Sequence, residues 1–144
     1  MSGWSLEYSI DVDADNGIVY EKIFGIWKKE TAESYKKDFE EEVTPIIDKP
    51  WVKLIDLNNW KIGYPEVVDI IGQHLAWCRK HNMVWSVNVI NATATYKQLQ
   101  RMFEKGGTKK MSKTFRNHAE GVAFLRQKGF EVRSSGDTSR SLRR

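Results

Sequence analysis

From residue 51 onward, short apolar segments alternate with longer segments in which apolar residues recur every three or four positions. Residues 51–57, 84–90 and 111–116 have the length and composition of strands, and each precedes a segment with helical periodicity. Strand–helix–strand connections of this length favour parallel pairing with right-handed crossovers. The sequence therefore predicts an α/β fold in which helices pack on a largely parallel sheet.

The N-terminal segment adds an antiparallel pair of strands. Apolar and polar residues alternate over residues 6–14, and residues 18–27 resume the composition of a strand. Between them, Asn16-Gly17 is the dipeptide that favours a type I′ hairpin turn. We therefore expect a mixed sheet of about five strands that begins with a β-hairpin.

Residues typical of helix ends mark four helices. The predicted N-terminal signals are Thr31, Pro65, Thr93 or Thr95, and the capping pair of Asn117 with Glu120. The predicted C-terminal signals are Pro45, Gly106-Gly107 and Gly129. The predicted element order is ββαβαβαβα, in one domain over residues 1–130. Residues 131–144 are rich in Ser and Arg, which predicts a flexible basic tail.

The sequence argues against several classes of protein. No apolar run approaches the ~20 residues that span a bilayer, and residues 1–6 lack the basic and apolar segments of a secretory signal. The single cysteine, Cys78, excludes an internal disulfide and a multi-cysteine zinc site. We expect a cytoplasmic protein with no integral membrane association, no metal and no cofactor.

Charge is distributed unevenly along the chain. Residues 1–48 hold twelve acids and five bases, whereas residues 49–144 hold seven acids and eighteen bases. A basic patch contains Arg101, Lys105, Lys109, Lys110, Lys113 and Arg116. Such a patch is either a solvated loop or a surface for phosphate or an acidic partner. Because nucleotide-binding and RNA-binding motifs are absent from the sequence, we do not expect nucleic acid as the partner.

The order and length of these elements resemble STAS domains (sulfate transporter and anti-sigma-factor antagonist) over residues 6–130. In anti-sigma-factor antagonists of this family, an Asp-Leu-Ser-Gly pattern and a phosphorylatable serine follow the central strand. Here Asp56-Leu57 matches the start of the pattern, but residues 58–65 contain no serine. The resemblance therefore implies the SpoIIAA-like branch without a phosphoserine switch, a group that is also likened to a lipid-binding fold.

The segment 58–65 is the first candidate for a binding site. It is predicted to be a loop at the carboxyl end of a strand and beside a helix N-terminus, where α/β sheets bind ligands. The candidate contact residues are Asn58, Trp60, Tyr64 and Pro65. The alternative is that both aromatic rings cover the edge of the core.

His74 and Cys78 are four residues apart and share one face of a predicted helix. This spacing suits a thiolate–imidazole pair or two metal ligands, but two ligands do not make a metal site. Cys78 also belongs to an apolar stripe, where free cysteine behaves as a small hydrophobic residue. We therefore expect structural roles for both.

These observations favour a non-enzymatic regulatory or protein-interaction module of the STAS-like type. A domain that binds a small apolar molecule or a lipid in a cavity under the 58–65 segment is the alternative. A weak binder of nucleic acid or of another anion, which uses the basic patch and the tail, is the third possibility. Trp77 flanks an apolar stripe and could contribute to a homodimer.

Overall fold

The computed structural model describes residues 7–62 and 64–133, which form a five-stranded sheet with four α-helices. The strands are β1 (Tyr8–Asp13), β2 (Ile18–Trp27), β3 (Trp51–Ile62), β4 (Met83–Val89) and β5 (Ser112–Phe115). The helices are α1 (Lys29–Val43), α2 (Pro65–Lys80), α3 (Thr93–Gly106) and α4 (His118–Gln127), with 3₁₀ turns at Thr44–Ile46 and Lys109–Met111. The strands and α-helices follow one another in the predicted order.

The strands lie side by side in chain order, and the sheet separates two apolar cores. β1 is antiparallel to β2, and all other neighbouring strands are parallel. Buried residues of α1, α2 and α3 form the larger apolar cluster, and buried residues of α4 belong to the smaller one. Because β2 to β5 run in the same direction, the chain leaves all four at one edge of the sheet. We call this edge the carboxyl edge.

The hairpin between β1 and β2 has a wider turn than Asn16-Gly17 predicts. Asp13 pairs with Ile18, so four residues connect the strands. The Asp13 carboxylate accepts hydrogen bonds from the backbone N–H (3.3 Å) and the side-chain amide (3.0 Å) of Asn16. Gly17 has a positive φ of 69°, and Asn16 does not. The predicted type I′ turn is wrong because the Asp13 side chain stabilises a longer connection.

β3 extends to Ile62, five residues beyond the predicted end of the strand at Leu57. The extension pairs with the end of β2, where Phe24 lies opposite Asn59 and Trp27 opposite Ile62. The predicted loop is wrong at these positions. Two successive asparagines favour a turn in isolation, but the ten-residue β2 supplies backbone hydrogen-bond partners.

Local signals located the ends of several helices correctly. Pro65 is the first residue of α2, and Gly107 follows α3 with a φ of 70°. The Asn117 side-chain oxygen accepts a hydrogen bond from the Glu120 N–H at 2.9 Å, as the capping pair predicts. The predicted N-caps at Thr31 and at Thr93 or Thr95 are wrong. Helix α1 begins at Lys29, and Ala92 occupies the N-cap position of α3.

The packed part of the chain extends beyond the predicted domain end at residue 130. Val132 is buried in the smaller cluster. The Arg133 guanidinium lies 2.7 Å from an Asp11 carboxylate oxygen and 4.0 Å from the centre of the Tyr20 ring. The rest of the predicted tail, residues 134–144, lies outside the described residues, as does Leu6. Within the described ranges, no helix is long and apolar enough to cross a membrane.

Two glycines allow α2 and α3 to approach each other closely. A Cβ atom on Gly106 would lie 2.7 Å from the Leu75 Cβ and 2.8 Å from the Gly72 carbonyl oxygen. A Cβ atom on Gly72 would lie 2.7 Å from the Lys105 Cβ. Since these distances are shorter than van der Waals contact, any larger residue requires the helices to separate.

Replacing Gly106 by Ala should therefore destabilise the fold by about 1–3 kcal/mol, even though Ala favours helices over Gly. The matched control is Glu104→Ala, an exposed position on the same helix, which should change the free energy of unfolding by less than about 0.5 kcal/mol. Urea unfolding of the two variants measures both values. Equal stability of the two variants would show that the helices are not in close contact at Gly106.

Candidate functional site

Trp60 is part of the core and not an exposed contact residue. Its side chain is 3% exposed, and its ring packs edge to face against Trp27 with the centroids 5.2 Å apart. Thr95, on the first turn of α3, is buried and donates its hydroxyl to the Trp60 carbonyl oxygen at 3.2 Å. The alternative that the ring covers the core is thus correct for Trp60.

The other residues of the predicted segment reach the surface. Tyr64 precedes α2 and is 45% exposed, and Pro65 is exposed as well. Asn58 is exposed, and its side-chain oxygen accepts a hydrogen bond from the Asn91 N–H at 3.1 Å. Asn58 therefore joins β3 to the segment between β4 and α3, whereas Tyr64 remains available for a contact with another molecule.

Exposed apolar side chains are concentrated at the carboxyl edge. Among the described residues, the large apolar side chains that are exposed are Ile26 (61%), Tyr64 (45%), Tyr96 (43%) and Val84 (37%). Ile26 lies near the end of β2, Tyr64 lies between β3 and α2, and Tyr96 lies in the first turn of α3. Val84, near the start of β4, lies at the opposite edge. We refer to Ile26, Tyr64 and Tyr96 as the carboxyl-edge surface.

Positively charged groups also lie at this edge. The described N-termini of α1, α2 and α3 have no side-chain cap, in contrast to α4 with Asn117. Helix N-termini carry a partial positive charge, and the exposed Lys28, Lys61 and Lys97 lie around them. Acidic side chains at this edge include Glu30 and Glu66, which lie in the first turns of α1 and α2. The carboxyl-edge surface is therefore apolar, with three lysines, three helix N-termini and two acids around it.

The predicted basic patch is spread over α3, the second 3₁₀ turn and β5. Two of its lysines have acidic partners, because Lys105 lies 2.9 Å from Asp69 and Lys109 lies 3.8 Å from Glu104. Lys113 lies over the Trp85 ring at 5.7 Å. The patch also includes three exposed residues, Arg101, Lys110 and Arg116. The patch therefore remains a prediction, with two of its six basic side chains in exposed ion pairs.

The structure also contains a buried polar cluster that the sequence patterns did not predict. Glu21 on β2 and Lys53 on β3 are both almost fully buried, with 3.2 Å between the Glu21 Oε2 and Lys53 Nζ atoms. Tyr35 of α1 donates its hydroxyl to the other Glu21 oxygen. The Lys53 Nζ atom lies 2.8 Å from the His74 Nε2 atom and 3.3 Å from the Tyr35 hydroxyl. The cluster joins β2, β3, α1 and α2.

Burial sets the protonation states in this cluster. It lowers the pKa of His74 well below the ordinary value of 6.5, and the Lys53 ammonium acts in the same direction. His74 is therefore neutral near pH 7, and its Nε2 atom accepts a hydrogen bond from Lys53. Burial raises the pKa of Glu21, while Lys53 and the Tyr35 hydroxyl oppose that rise. The ion pair of Glu21 and Lys53 makes the cluster neutral as a whole.

Cys78 lies one helical turn from His74, with 3.7 Å between the Sγ and Nε2 atoms. The thiol is fully buried, and burial raises its pKa to about 12. A thiol with this pKa is not a nucleophile near neutral pH. Among the described residues, no three metal-ligating side chains lie close enough to hold an ion. Trp77, considered above for a dimer, is half-buried and stacks on His81 with 4.4 Å between the centroids.

One signal in the sequence pointed to the buried cluster. Lys53 alternates with Trp51 and Ile55 on the core-facing side of its strand, and Glu21 alternates with Val19 and Ile23. Each of the two strands thus has one charged residue at a core-facing position, and the two charges are opposite in sign. Such a pattern indicates a buried ion pair. The pairing of the two strands was required to recognise it.

Comparisons with protein-family models and with curated proteins found no match to this chain. The features of the described chain that bear on function are therefore the carboxyl-edge surface and the buried cluster.

Replacing Lys53 by Met should destabilise the fold by about 3–5 kcal/mol, because the Glu21 carboxylate would remain buried without its counter-charge. The double variant Glu21→Gln/Lys53→Met removes both charges and keeps the shape of both side chains. It should recover most of the lost free energy of unfolding. Chemical denaturation of the wild type, of the single variants Glu21→Gln and Lys53→Met, and of the double variant gives the coupling. A double variant that is as unstable as Lys53→Met would show that charge pairing is not what the cluster contributes.

The contribution of His74 to the free energy of unfolding should fall as the pH falls from about 7 to about 5. Because the folded pKa of His74 lies below its unfolded value of 6.5, the unfolded chain takes up a proton that the folded chain does not. His74→Gln should reduce this slope. His118→Gln should reduce it less, since burial also lowers the pKa of His118 but that residue is only half-buried. Denaturation curves at several pH values measure the slopes, and an unchanged slope in His74→Gln contradicts the assignment.

Proposed function

We propose that this protein is a non-enzymatic interaction module of the STAS-like, SpoIIAA-like kind that binds a protein partner at the carboxyl edge. One observation carries the proposal. Three of the four exposed large apolar side chains in the described chain, Ile26, Tyr64 and Tyr96, lie at this edge. Exposed aromatic side chains with few rotatable bonds are the usual anchors of protein interfaces.

The chemistry of the buried groups supports a non-enzymatic role. The Cys78 thiol is protonated, and the His74 ring nitrogen already accepts a hydrogen bond from Lys53. Glu21 is engaged by Tyr35 and Lys53. Groups that neutralise one another inside the core stabilise one arrangement of the helices and the sheet, and they are shielded from a substrate at the surface.

The charge around the carboxyl-edge surface favours an acidic partner. Lys28, Lys61 and Lys97 are exposed there, beside three helix N-termini without side-chain caps. Complementary charge increases association rates and selects between partners, while apolar anchors supply most of the affinity. The proposed partner therefore presents apolar side chains surrounded by Asp and Glu.

The architecture is compatible with the STAS-like part of the proposal. The chain has an opening hairpin, a mixed sheet of five strands and four α-helices. Residues 58–65 contain no serine, which argues for an interaction that is not switched by serine phosphorylation in that segment. The regulatory role of the module is inferred from this likeness and from the exposed edge together.

Tyr64→Ala and Tyr96→Ala should each weaken partner binding by about 2 kcal/mol or more while changing the free energy of unfolding by less than about 0.5 kcal/mol. Val84→Ala is the matched control, because Val84 is an exposed apolar residue at the opposite edge. Capture from a lysate of the source cells, followed by titration of the captured protein, compares the four proteins. A partner that binds all four equally would show that the carboxyl-edge surface is not the binding site.

A further inference from the structure

The two outer strands of the sheet carry charges of opposite sign. β1 and β5 are the first and last strands of the sheet, and within the described ranges each pairs with one neighbour. Residues 7–15, which contain β1, hold four acids and no base. Residues 109–116, which contain β5, hold four bases and no acid. We call these segments the acidic β1 segment and the basic β5 segment.

Both outer strands also direct backbone groups away from the sheet. The Glu7 carbonyl oxygen accepts a hydrogen bond from β2 at 3.0 Å, and the Phe115 carbonyl oxygen accepts one from the residue after β4 at 2.9 Å. Successive residues of a strand direct their backbone groups to opposite sides. The backbone N–H and C=O groups of Thr114 therefore face away from β4. On β1, the groups that face away from β2 belong to Tyr8, Ile10 and Val12.

Charge decides which outer strands can pair with each other. Two copies that paired β1 with β1, or β5 with β5, would place like charges opposite each other, which is unfavourable. Pairing of β1 with β5 of another copy brings acids and bases together. Because β1 runs opposite to the other four strands, a second copy in the same orientation adds its β1 antiparallel to β5. Antiparallel pairing is the more stable kind.

Side chains on one face of the sheet match as well. Ile10 packs in the larger core, so Asp11 and Asp13 lie on the opposite face of the sheet. Phe115 packs against the smaller cluster, so Lys113 lies on that same opposite face. Within the described ranges, Lys113 has no carboxylate partner. A junction that keeps the two faces aligned therefore supplies this lysine with carboxylates.

We propose that copies of this chain associate head to tail, with β1 of one copy paired to β5 of the next. Two different surfaces form the contact, so an acidic β1 segment stays free at one end of the assembly and a basic β5 segment at the other. Assembly therefore continues as the protein concentration rises and does not stop at a dimer. Salt weakens the contact because it screens the charges. The residues of the carboxyl-edge surface take no part in it.

Sedimentation equilibrium of the full chain tests the assembly, at protein concentrations up to about 1 mM, where contacts with a millimolar Kd form. In about 0.01 M salt the average mass should rise continuously with concentration, and in about 1 M salt it should fall towards the mass of one chain. A mass that stays at one chain in low salt would show that the outer strands take another protein or none. A mass that stops at two chains would show a symmetric contact. Either result overturns the proposal.

Charge reversal locates the contact. The β5-reversed variant makes both outer segments acidic, the β1-reversed variant makes both basic, and neither should associate. A chain with both sets of changes has its charges exchanged and should associate again. The β5-reversed variant is Lys110→Glu/Lys113→Glu/Arg116→Glu, and the β1-reversed variant is Glu7→Lys/Asp13→Lys/Asp15→Lys.

The matched control is Lys37→Glu/Lys49→Glu/Lys80→Glu, which changes the net charge as the β5-reversed variant does, at exposed positions outside both segments. It should associate as the wild type does. Loss of association in the control, or association of either reversed variant at the wild-type level, contradicts the proposed contact.

Hydrogen exchange of the wild type decides the question even if a reversed variant does not fold. The outward N–H groups of Ile10 and Thr114 should exchange at least about fivefold more slowly in the associated protein than in dilute protein. The N–H groups of Ser9 and Phe115 already face a neighbouring strand and should exchange at the same rate in both. An unchanged rate at Thr114 in protein that has associated would exclude β5 as the contact strand.

Discussion

The ion pair between Glu21 and Lys53 connects the parts of this structure. It lies inside the larger apolar core, where an unpaired charge is very unfavourable, so both residues must occupy their positions together. Tyr35 of α1 donates a hydrogen bond to Glu21, and His74 of α2 accepts one from Lys53. An apolar core tolerates several arrangements of its side chains, but a hydrogen-bonded charge pair accepts few. The cluster thus fixes how two helices lie on the sheet.

This arrangement has consequences at the carboxyl edge. The helices of the larger core begin at that edge, and their N-termini lie beside Tyr64 and Tyr96. The close contact between Gly72 and Gly106 fixes α3 against α2, which in turn fixes the distance between the two exposed rings. A binding surface on elements that are held in this way loses little conformational entropy when a partner binds.

The paired ends of β2 and β3 contribute to both the surface and the core. Ile26 and Trp27 are adjacent on β2, and the first is exposed while the second is buried against Trp60. The paired ends of β2 and β3 therefore have an exposed apolar side chain on the surface and, inside the core, a tryptophan N–H without an acceptor among the described residues.

The sequence alone determined the class of fold, because hydrophobic periodicity and helix-end signals are local. The hairpin, the alternation of strands and helices, and the ends at Pro65, Gly107 and Asn117 could all be read from neighbouring residues. Tyr64, which the sequence also selected as a candidate contact residue, is exposed. The predicted order and architecture agree with the structure for this reason.

Only the tertiary structure decided the ends of β3 and the nature of the sites. Asn58 and Asn59 favour a turn by themselves, and the pairing with β2 overrides that preference. Trp60 was assigned to an exposed loop because its burial depends on which strand pairs with it and which helix covers it. Glu21 and Lys53 are 32 positions apart in the sequence and meet on neighbouring strands, so no local pattern shows that they compensate each other. Contacts between residues that are far apart in the sequence are set by the packing of the whole chain. A local sequence pattern does not show which distant residues will lie close together in space.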